Sequence, residues 1–327
     1  MGSERSRPVG IDRITLLAFA GIVLFGGANA IAVKQTVQEV APFWGATIRF
    51  AAAGLIMAAV ALGTRRPLPR GRSLVGAALY GAIGFGASYG FLYPALREAP
   101  AGTASVVISL TPLLTFGLAI AHRQETFHPQ GLLGGLIALA GVAVVFADQL
   151  NANVPIASLV LLILGTLAMA ETGVIVKWIP RSDPFSTNAV AMLTGAAILL
   201  VLSLLVAEPR VLPAQGATWI AVGYLVIFGS VVMFGLYVFT LERWTASAVS
   251  YMTLLLPLVT VPLAAALFDE RITTSFLVGG AVILLGVYVG AFLRIRPLRS
   301  SASSLPECLP IDACGPPIPQ RPITANR

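Results

Sequence analysis

Charge is what this sequence has least of. Of 327 residues only 11% are Asp, Glu, Lys or Arg, against 57% apolar, whereas a soluble globular chain carries roughly 25% charged and about 45–50% apolar residues. So few charges cannot cover a solvated surface, which excludes a water-soluble globular fold. Cysteine is nearly absent too: Cys308 and Cys314 lie in a Pro- and Ser-rich stretch, make no disulfide framework and match no common metal spacing. The two histidines, His122 and His128, are too few for a metal site without acidic partners nearby and read as loop residues near a membrane surface. No Gly-rich loop ending in Lys-Ser or Lys-Thr occurs, which excludes ATP drive within this chain. No nucleophile–base pair lies in an apolar run, so the chain reads as a non-enzyme without metal or cofactor. The formal charge of +7 forms no continuous patch, and speaks for membrane orientation rather than for nucleic acid.

What is present is a series of ten apolar runs, at about residues 14–33, 43–62, 74–93, 101–121, 130–147, 156–176, 188–206, 217–240, 246–268 and 276–293. Each approaches the roughly 20 residues that a helix needs to cross a bilayer. The connections hold turn punctuation such as Arg65-Arg66-Pro67 and Arg181-Ser182-Asp183-Pro184. The expectation is an all-α membrane protein of ten transmembrane helices. Residues 1–13 then form a cytoplasmic N-terminal segment, and 294–327, without any period, a disordered cytoplasmic tail. Arg5, Arg7 and Arg13 before an apolar run ending in Ala28-Asn29-Ala30 also resemble a cleavable signal peptide. Against that, an internal repeat needs the first run as a permanent helix.

Shifted by 145 residues the sequence overlays itself: Gly84 falls on Gly229, Gly90 on Gly235, Pro112 on Pro257, Glu125 on Glu270, Gly134-Gly135 on Gly279-Gly280 and Gly141 on Gly286. The earlier part of each half aligns at 142–143 residues, placing Lys34 on Lys177 and Pro42 on Pro184. Two five-helix repeats follow, 14–147 and 156–293. Because five is odd, the second enters the membrane from the opposite side. Inverted repeats of this kind are the architecture of secondary transporters. With the N-terminus cytoplasmic, 16 of the 21 basic residues fall on one face, and Lys34, Arg97, Arg210 and Arg271 on the other. That bias places both termini of a multi-pass cell-membrane protein in the cytoplasm.

Several signatures carry a resemblance. They are Phe25-Gly26-Gly27-Ala28-Asn29, Ile48-Arg49-Phe50, Tyr93-x-Ala95-Leu96, Ala101-Gly102-Thr103-Ala104-Ser105 and Leu110-Thr111-Pro112, then Glu125 with Gly135 and Gly141, then Leu256-Pro257, Glu270, Gly280 and Gly286. Over about residues 14–293 the chain resembles the EamA-like family of the drug/metabolite transporter superfamily. The resemblance implies a carrier of small metabolites, often an exporter of amino acids, related organic solutes or drugs. It also implies a central cavity lined by helices one to four and six to nine, with the fifth and tenth outside as scaffold.

Charged groups at bilayer depth cost roughly 2.5–3.5 kcal/mol on insertion scales, so they face a cavity or a partner. Glu171 and Arg49 qualify. Glu171 sits among Ala168, Met169, Ala170 and Gly173 with no adjacent charge. It reads as a proton carrier or a ligand for a substrate ammonium group, or else as an interfacial carboxylate paired with Lys177. Arg49 reads as a planar donor for a substrate carboxylate or phosphate, or as a structural donor to loop carbonyls near the outer surface. Pro112 and Pro257 leave the carbonyls of Ile108 and Thr253 without helical donors. They mark hinges and, with Ser109, Thr111, Tyr251 and Thr253, a substrate-binding region. Tyr89, Tyr93 and Tyr237 offer stacking or a polar contact, Tyr93 equally an interface anchor. Asn29 lines the cavity or bonds a neighbouring helix. Glu125 and Glu270 read as structural, each complementing the positive end of the helix that follows.

These residues point to a secondary transporter that moves a small organic metabolite, amino-acid-like or drug-like, outward across the cell membrane, with protons as the coupling ion. One alternative is an antiporter of phosphorylated or nucleotide-linked sugars, for which Lys34 and Arg49 are few basic candidates. Another is a non-transporting membrane helper protein. Monomer and homodimer both stay open.

Overall fold

A computed structural model describes residues 12–99, 101–147, 154–180, 182–268 and 273–292, and every regular element among them is a helix. Expectations for Arg5, Arg7, Glu270, Arg271, the two cysteines and the tail fall outside these residues. The helices are α1 (Arg13–Thr36), α2 (Pro42–Gly63), α3 (Arg72–Glu98), α4 (Ala101–Ile108 and Thr111–Ala121), α5 (Pro129–Val145), α6 (Ile156–Trp178), α7 (Pro184–Leu205), α8 (Gly216–Leu241), α9 (Ala246–Ser250 and Met252–Phe268) and α10 (Thr274–Val287, continued by Tyr288–Phe292). Among the described residues eight of these, all but α5 and α10, are long and apolar enough to cross a membrane. The 17 residues of α5 reach about 25 Å at 1.5 Å each, somewhat short of a roughly 30 Å hydrocarbon core.

Helix starts follow from local chemistry. Pro42, Pro129 and Pro184 stand in the first turns of α2, α5 and α7, where a missing N–H goes unneeded and φ is already helical. Asp183 caps α7, one carboxylate oxygen accepting from the N–H groups of Phe185 at 3.1 Å and Ser186 at 3.2 Å. Its other oxygen takes Arg66 from the end of α2. The hydroxyls of Thr245 and Thr273 cap α9 and α10. Each such cap contributes about 1 kcal/mol.

Two interior stretches widen into π turns, Gly81–Ala87 in α3 and Ile227–Val232 in α8. Moved by 145 residues, the first falls on 226–232, so the sequence repeat extends to an irregularity of the backbone. Packing repeats as well: α2 packs on α7 and α5 on α10, while α1 packs on α8 and α9, and α6 on α3 and α4. Exchanging the first and second halves maps that pattern onto itself. Glycines bring α5 and α10 together. A Cβ on Gly134 would lie 2.3 Å from the Cα of Gly290, and one on Gly141 2.8 Å from the carbonyl oxygen of Gly279. Lipid tails are as apolar as leucine, so close backbone approach of this kind is what holds membrane helices together.

The bundle centre is a buried cluster that includes Phe19, Ile22, Phe50, Tyr80, Phe85, Met192 and Tyr237. Large apolar side chains also face outward: Leu17, Leu55, Ile156, Leu205, Ile220 and Leu277 are each more than half exposed, as a lipid-facing surface requires. Helix ends alternate between two faces. One carries Arg66, Arg72, Arg123, Lys177 and Arg243. On the other, carboxylates meet helix N-termini: Glu208 accepts from the N–H groups of Phe43 (3.3 Å) and Trp44 (3.0 Å), and Glu39 from those of Ala214 (2.9 Å) and Gln215 (3.2 Å). These are called the basic and the acidic face below.

Candidate functional site

Arg49 enters from α2 and is 3% exposed. Its acceptors are not loop carbonyls near the surface, which corrects that expectation. Nε donates to Ser230 Oγ at 2.8 Å and Nη2 to the Gly229 carbonyl at 2.6 Å, both inside the π turn of α8. Asn29 of α1 donates to the same carbonyl at 3.3 Å. A Cβ on Gly229 would fall 2.0 Å from Asn29 Oδ1, so a larger residue there would displace the Asn29 side chain. Three helices thus meet on one widened turn, where dipoles and the Phe50 ring, 4.9 Å from the guanidinium carbon, stabilise the buried charge.

This crossing has a counterpart in the other half. Asn29 moved by 143 residues is Thr172, and Gly229 moved back by 145 is Gly84. A Cβ on Gly84 would lie 2.9 Å from Thr172 Cγ2. A hydrogen bond repeats too: Thr260 of α9 donates to the Gly27 carbonyl of α1 at 2.7 Å, and Thr115 of α4 to the Ala170 carbonyl of α6 at 3.4 Å. The two seams correspond through the repeat, and this bond is shorter at α9–α1 than at α4–α6.

Of three openings among the described residues, the two wider lie on the basic face. One, of about 650 Å³, is bordered by Val176, Lys177, Thr187, Val238 and Glu242, and another, of about 520 Å³, by Gln124, Glu125, Lys177, Thr245 and Ala246. A crevice of about 260 Å³ involves Val33, Pro42, Arg49, Tyr93 and Leu225, toward the acidic face. Gln124 donates to the Val174 carbonyl of α6 at 2.9 Å. One turn earlier, Glu171 Oε1 stands 3.3 Å from His122 Nε2 at the end of α4. Glu171 thus has an imidazole neighbour that its surroundings in the sequence do not show. Both histidines lie in the 122–128 connection, as expected, and each makes a specific contact there. His128 caps α5, its Nδ1 accepting from the Gly131 N–H at 3.2 Å, with its ring 4.6 Å from that of Phe116. Glu125 does serve a positive helix end, but that of α9 rather than of the helix after it: it accepts from the N–H and the hydroxyl of Ser247.

Tyr89, Tyr93 and Tyr237 belong to a chain of rings. Tyr89 stands edge-on to Phe50 at 5.0 Å and to Tyr93 at 5.3 Å, and Phe85 links Phe50 to Phe234, which touches Tyr237. Ser109 Oγ donates to the Ser105 carbonyl at 2.7 Å. Thr111 Oγ1 donates to the Ile108 carbonyl at 2.5 Å, taking up the acceptor that Pro112 leaves without a helical donor. Thr253 bonds the Ser250 carbonyl at 2.9 Å. Tyr251 is placed elsewhere, donating at 2.8 Å to the Gly131 carbonyl in the cluster between α5, α9 and α10. The structure therefore groups Asn29, Arg49 and the three tyrosines in the core and separates Tyr251 from them. Sequence reasoning misses His122, Ser230, Thr115 and Thr260. The threonines are identical at the 145-residue offset, a usable signal; nothing in the sequence links His122 to Glu171. Among the described residues no group of three or more His, Cys, Asp or Glu could hold a metal ion.

Pro112 heads the second piece of α4, whereas Pro257 lies inside α9, followed by Pro262. Pro257→Ala restores a helical N–H and is expected to slow solute exchange on the order of tenfold, about 1.4 kcal/mol of barrier, more than it weakens binding. Pro112→Ala is expected to act less, because Thr111 already satisfies the carbonyl. Wild-type exchange rates in both variants would remove these breaks from the conformational cycle.

An all-helical bundle with eight membrane-length apolar helices among its described residues, close glycine crossings and polar openings at one face defines a polytopic membrane protein. The sequence profile of the EamA-like transporter family matches it twice, at residues 13–147 and 156–291. The chain belongs to the EamA-like transporter family. It is 28% identical over 279 residues, 82% of this chain and 67% of the relative, to a WAT1-related chloroplastic protein of Arabidopsis thaliana. Over 296 residues, 88% of this chain and 96% of the relative, it is 25% identical to the uncharacterized inner membrane transporter YedA of Escherichia coli. A probable amino-acid metabolite efflux pump of the same organism is 26% identical over 288 residues, 84% of this chain and 94% of the relative. A solved crystal structure shares the fold, with a TM-score of 0.76 over 87% of this chain and 100% of the other, at 22% identity.

Proposed function

We propose that this chain is a proton-coupled secondary transporter that exports a small, amino-acid-like organic solute across the cell membrane by alternating access. Its ten membrane helices form two inverted five-helix repeats, 14–147 and 156–293, with both termini cytoplasmic. The observation that carries the reading is the pair of corresponding seams, whose shared bond is shorter at Thr260–Gly27 than at Thr115–Ala170. Thr115 and Ala170 lie toward the helix ends of the basic face, Thr260 and Gly27 toward those of the acidic face. Exchanging the two states would close one face and open the other. The wider openings on the basic face suit an inward-open state. The relative named as a probable amino-acid metabolite efflux pump supports the solute class and the direction. An antiporter of phosphorylated sugars finds less support, since Arg49 already donates to Gly229 and Ser230.

A metabolite-resistance screen with cells over- and under-expressing the protein would nominate the solute, and counterflow in proteoliposomes would test it. Exchange of labelled solute is expected; its absence for every nominated solute would leave a helper protein. Topology is checked by impermeant thiol labelling of whole cells without the tail cysteines. Asn153→Cys is expected to react and Arg66→Cys to stay protected, and the reverse pattern would overturn the orientation. Glu171→Gln keeps the size but fixes the neutral form, and is expected to abolish proton-driven accumulation while passive exchange persists. Unaltered rate and pH dependence would leave Glu171 a structural partner of His122 alone.

A further inference from the structure

We propose that His122 and Glu171 together form a proton-operated latch on the α4–α6 seam, which sets how readily one gate of the two opens. The proposal rests on the transporter reading and adds to it a residue and a place of action. Three contacts follow one another along this seam: Thr115 to the Ala170 carbonyl, His122 to Glu171 and Gln124 to the Val174 carbonyl. The first is the longer counterpart of Thr260–Gly27. The side chains of His122 and Glu171 are 48% and 21% exposed, so protons reach the pair from water at the basic face.

The asymmetry of the repeat gives the pair its meaning. Thr115 and Ala170 correspond to Thr260 and Gly27, but the counterparts of His122 and Glu171, at the same 145- and 143-residue offsets, are Leu267 and Ala28. The fold can therefore build this seam without a titratable pair, as it does between α9 and α1. Imidazole is the side chain whose ordinary charge change falls between pH 5 and 8. A proton taken from water onto the imidazole creates an ion pair with the Glu171 carboxylate and draws α4 to α6. Its release leaves a neutral hydrogen bond, and the seam opens more readily. The latch holds best where the imidazole is protonated and the carboxylate ionised.

Other charged or titratable groups that the packed elements bring to this end are Arg66 after α2, Arg72 and Tyr80 on α3, Arg123 and Glu125 after α4, His128 before α5, Lys177 on α6, Asp183 before α7, Tyr237 on α8, and Glu242 and Arg243 after it. Glu125 is held by Ser247, Asp183 by Arg66, and Arg72 lies over Trp178. Among the described contacts the ion pair that crosses from α4 to α6 is His122 with Glu171.

The test uses the full chain with Cys308→Ser and Cys314→Ser, in vesicles without solute. Thr115→Cys, nearly isosteric at a site 1% exposed, reports opening of the seam through its rate of reaction with a maleimide. The rate with His122→Gln is divided by that with His122 at each pH, which cancels the thiol's own titration. The ratio is expected to be about two- to fivefold at pH 6, the range of a partly exposed ion pair, and to fall to near one by pH 8.5. Glu171→Gln should give the same ratio, and the double variant no further increase. A ratio independent of pH in both single variants would overturn the latch. Should one variant fail to fold, as judged by size-exclusion chromatography, the other still decides. Counterflow without pH-dependent labelling removes the latch and keeps the transporter; pH-dependent labelling without counterflow does the reverse.

Discussion

Arg49→Leu is expected to abolish transport and to lower stability by about 3 kcal/mol, two charge-assisted hydrogen bonds at the lower end of their net worth. The substitution withdraws donors from Ser230 Oγ and the Gly229 carbonyl at once. Asn29 still reaches that carbonyl at 3.3 Å, so the π turn is weakened rather than stripped. Arg49→Lys should fall between the two, because an ammonium is a point charge without the planar pair of donors that spans both acceptors. Adding Asn29→Ala to Arg49→Leu removes both side-chain donors from one buried carbonyl. The double variant should therefore lose more than the sum of the singles, with a coupling of about 0.5–3 kcal/mol. Thermal midpoints in detergent and counterflow rates check both parts. Wild-type values for Arg49→Leu would show that the α2–α8 tie is dispensable.

Gly134→Val is expected to remove most folded protein. Its Cβ would lie 2.3 Å from both the Cα and the nitrogen of Gly290, and these backbone atoms cannot turn aside as a side chain would. Overfilling a packed site costs about 1–3 kcal/mol, occasionally more, and here α5 and α10 lose the approach that joins them. Gly117→Ala is the control, since a Cβ at Gly117 meets nothing within 4 Å, and it should leave the yield unchanged. Monodisperse yield after extraction distinguishes the two. Equal yields would mean that α5 and α10 tolerate separation.

Much of this architecture is legible along the chain. The apolar runs foreshadow the helices and the constant offset foreshadows the repeated packing. Boundaries move where polar residues turn out to be buried. Helix α7 begins at Pro184 rather than near residue 188, because Ser186, Thr187 and Asn188 point into the bundle. Asn188 there accepts from the Tyr80 hydroxyl at 3.1 Å and donates to the Phe234 carbonyl at 3.1 Å, so its polarity is satisfied by two other helices. Hydropathy scores it as loop, since a sum along the chain cannot see a partner 108 residues away. Helix α3 likewise runs on through Pro94 to Glu98.

The sequence by itself determined the solvent and the internal repeat, because these depend on composition and on spacing along the chain. Only the tertiary structure decided who meets whom. Arg49 turned out to hold a π turn 180 residues on, and Tyr251 to bond Gly131, 120 residues back. Glu171 meets His122 of another helix end. Each outcome depends on which helices cross and how deeply glycine lets them approach, and a hydrogen bond of about 3 Å registers distance in space, not along the chain.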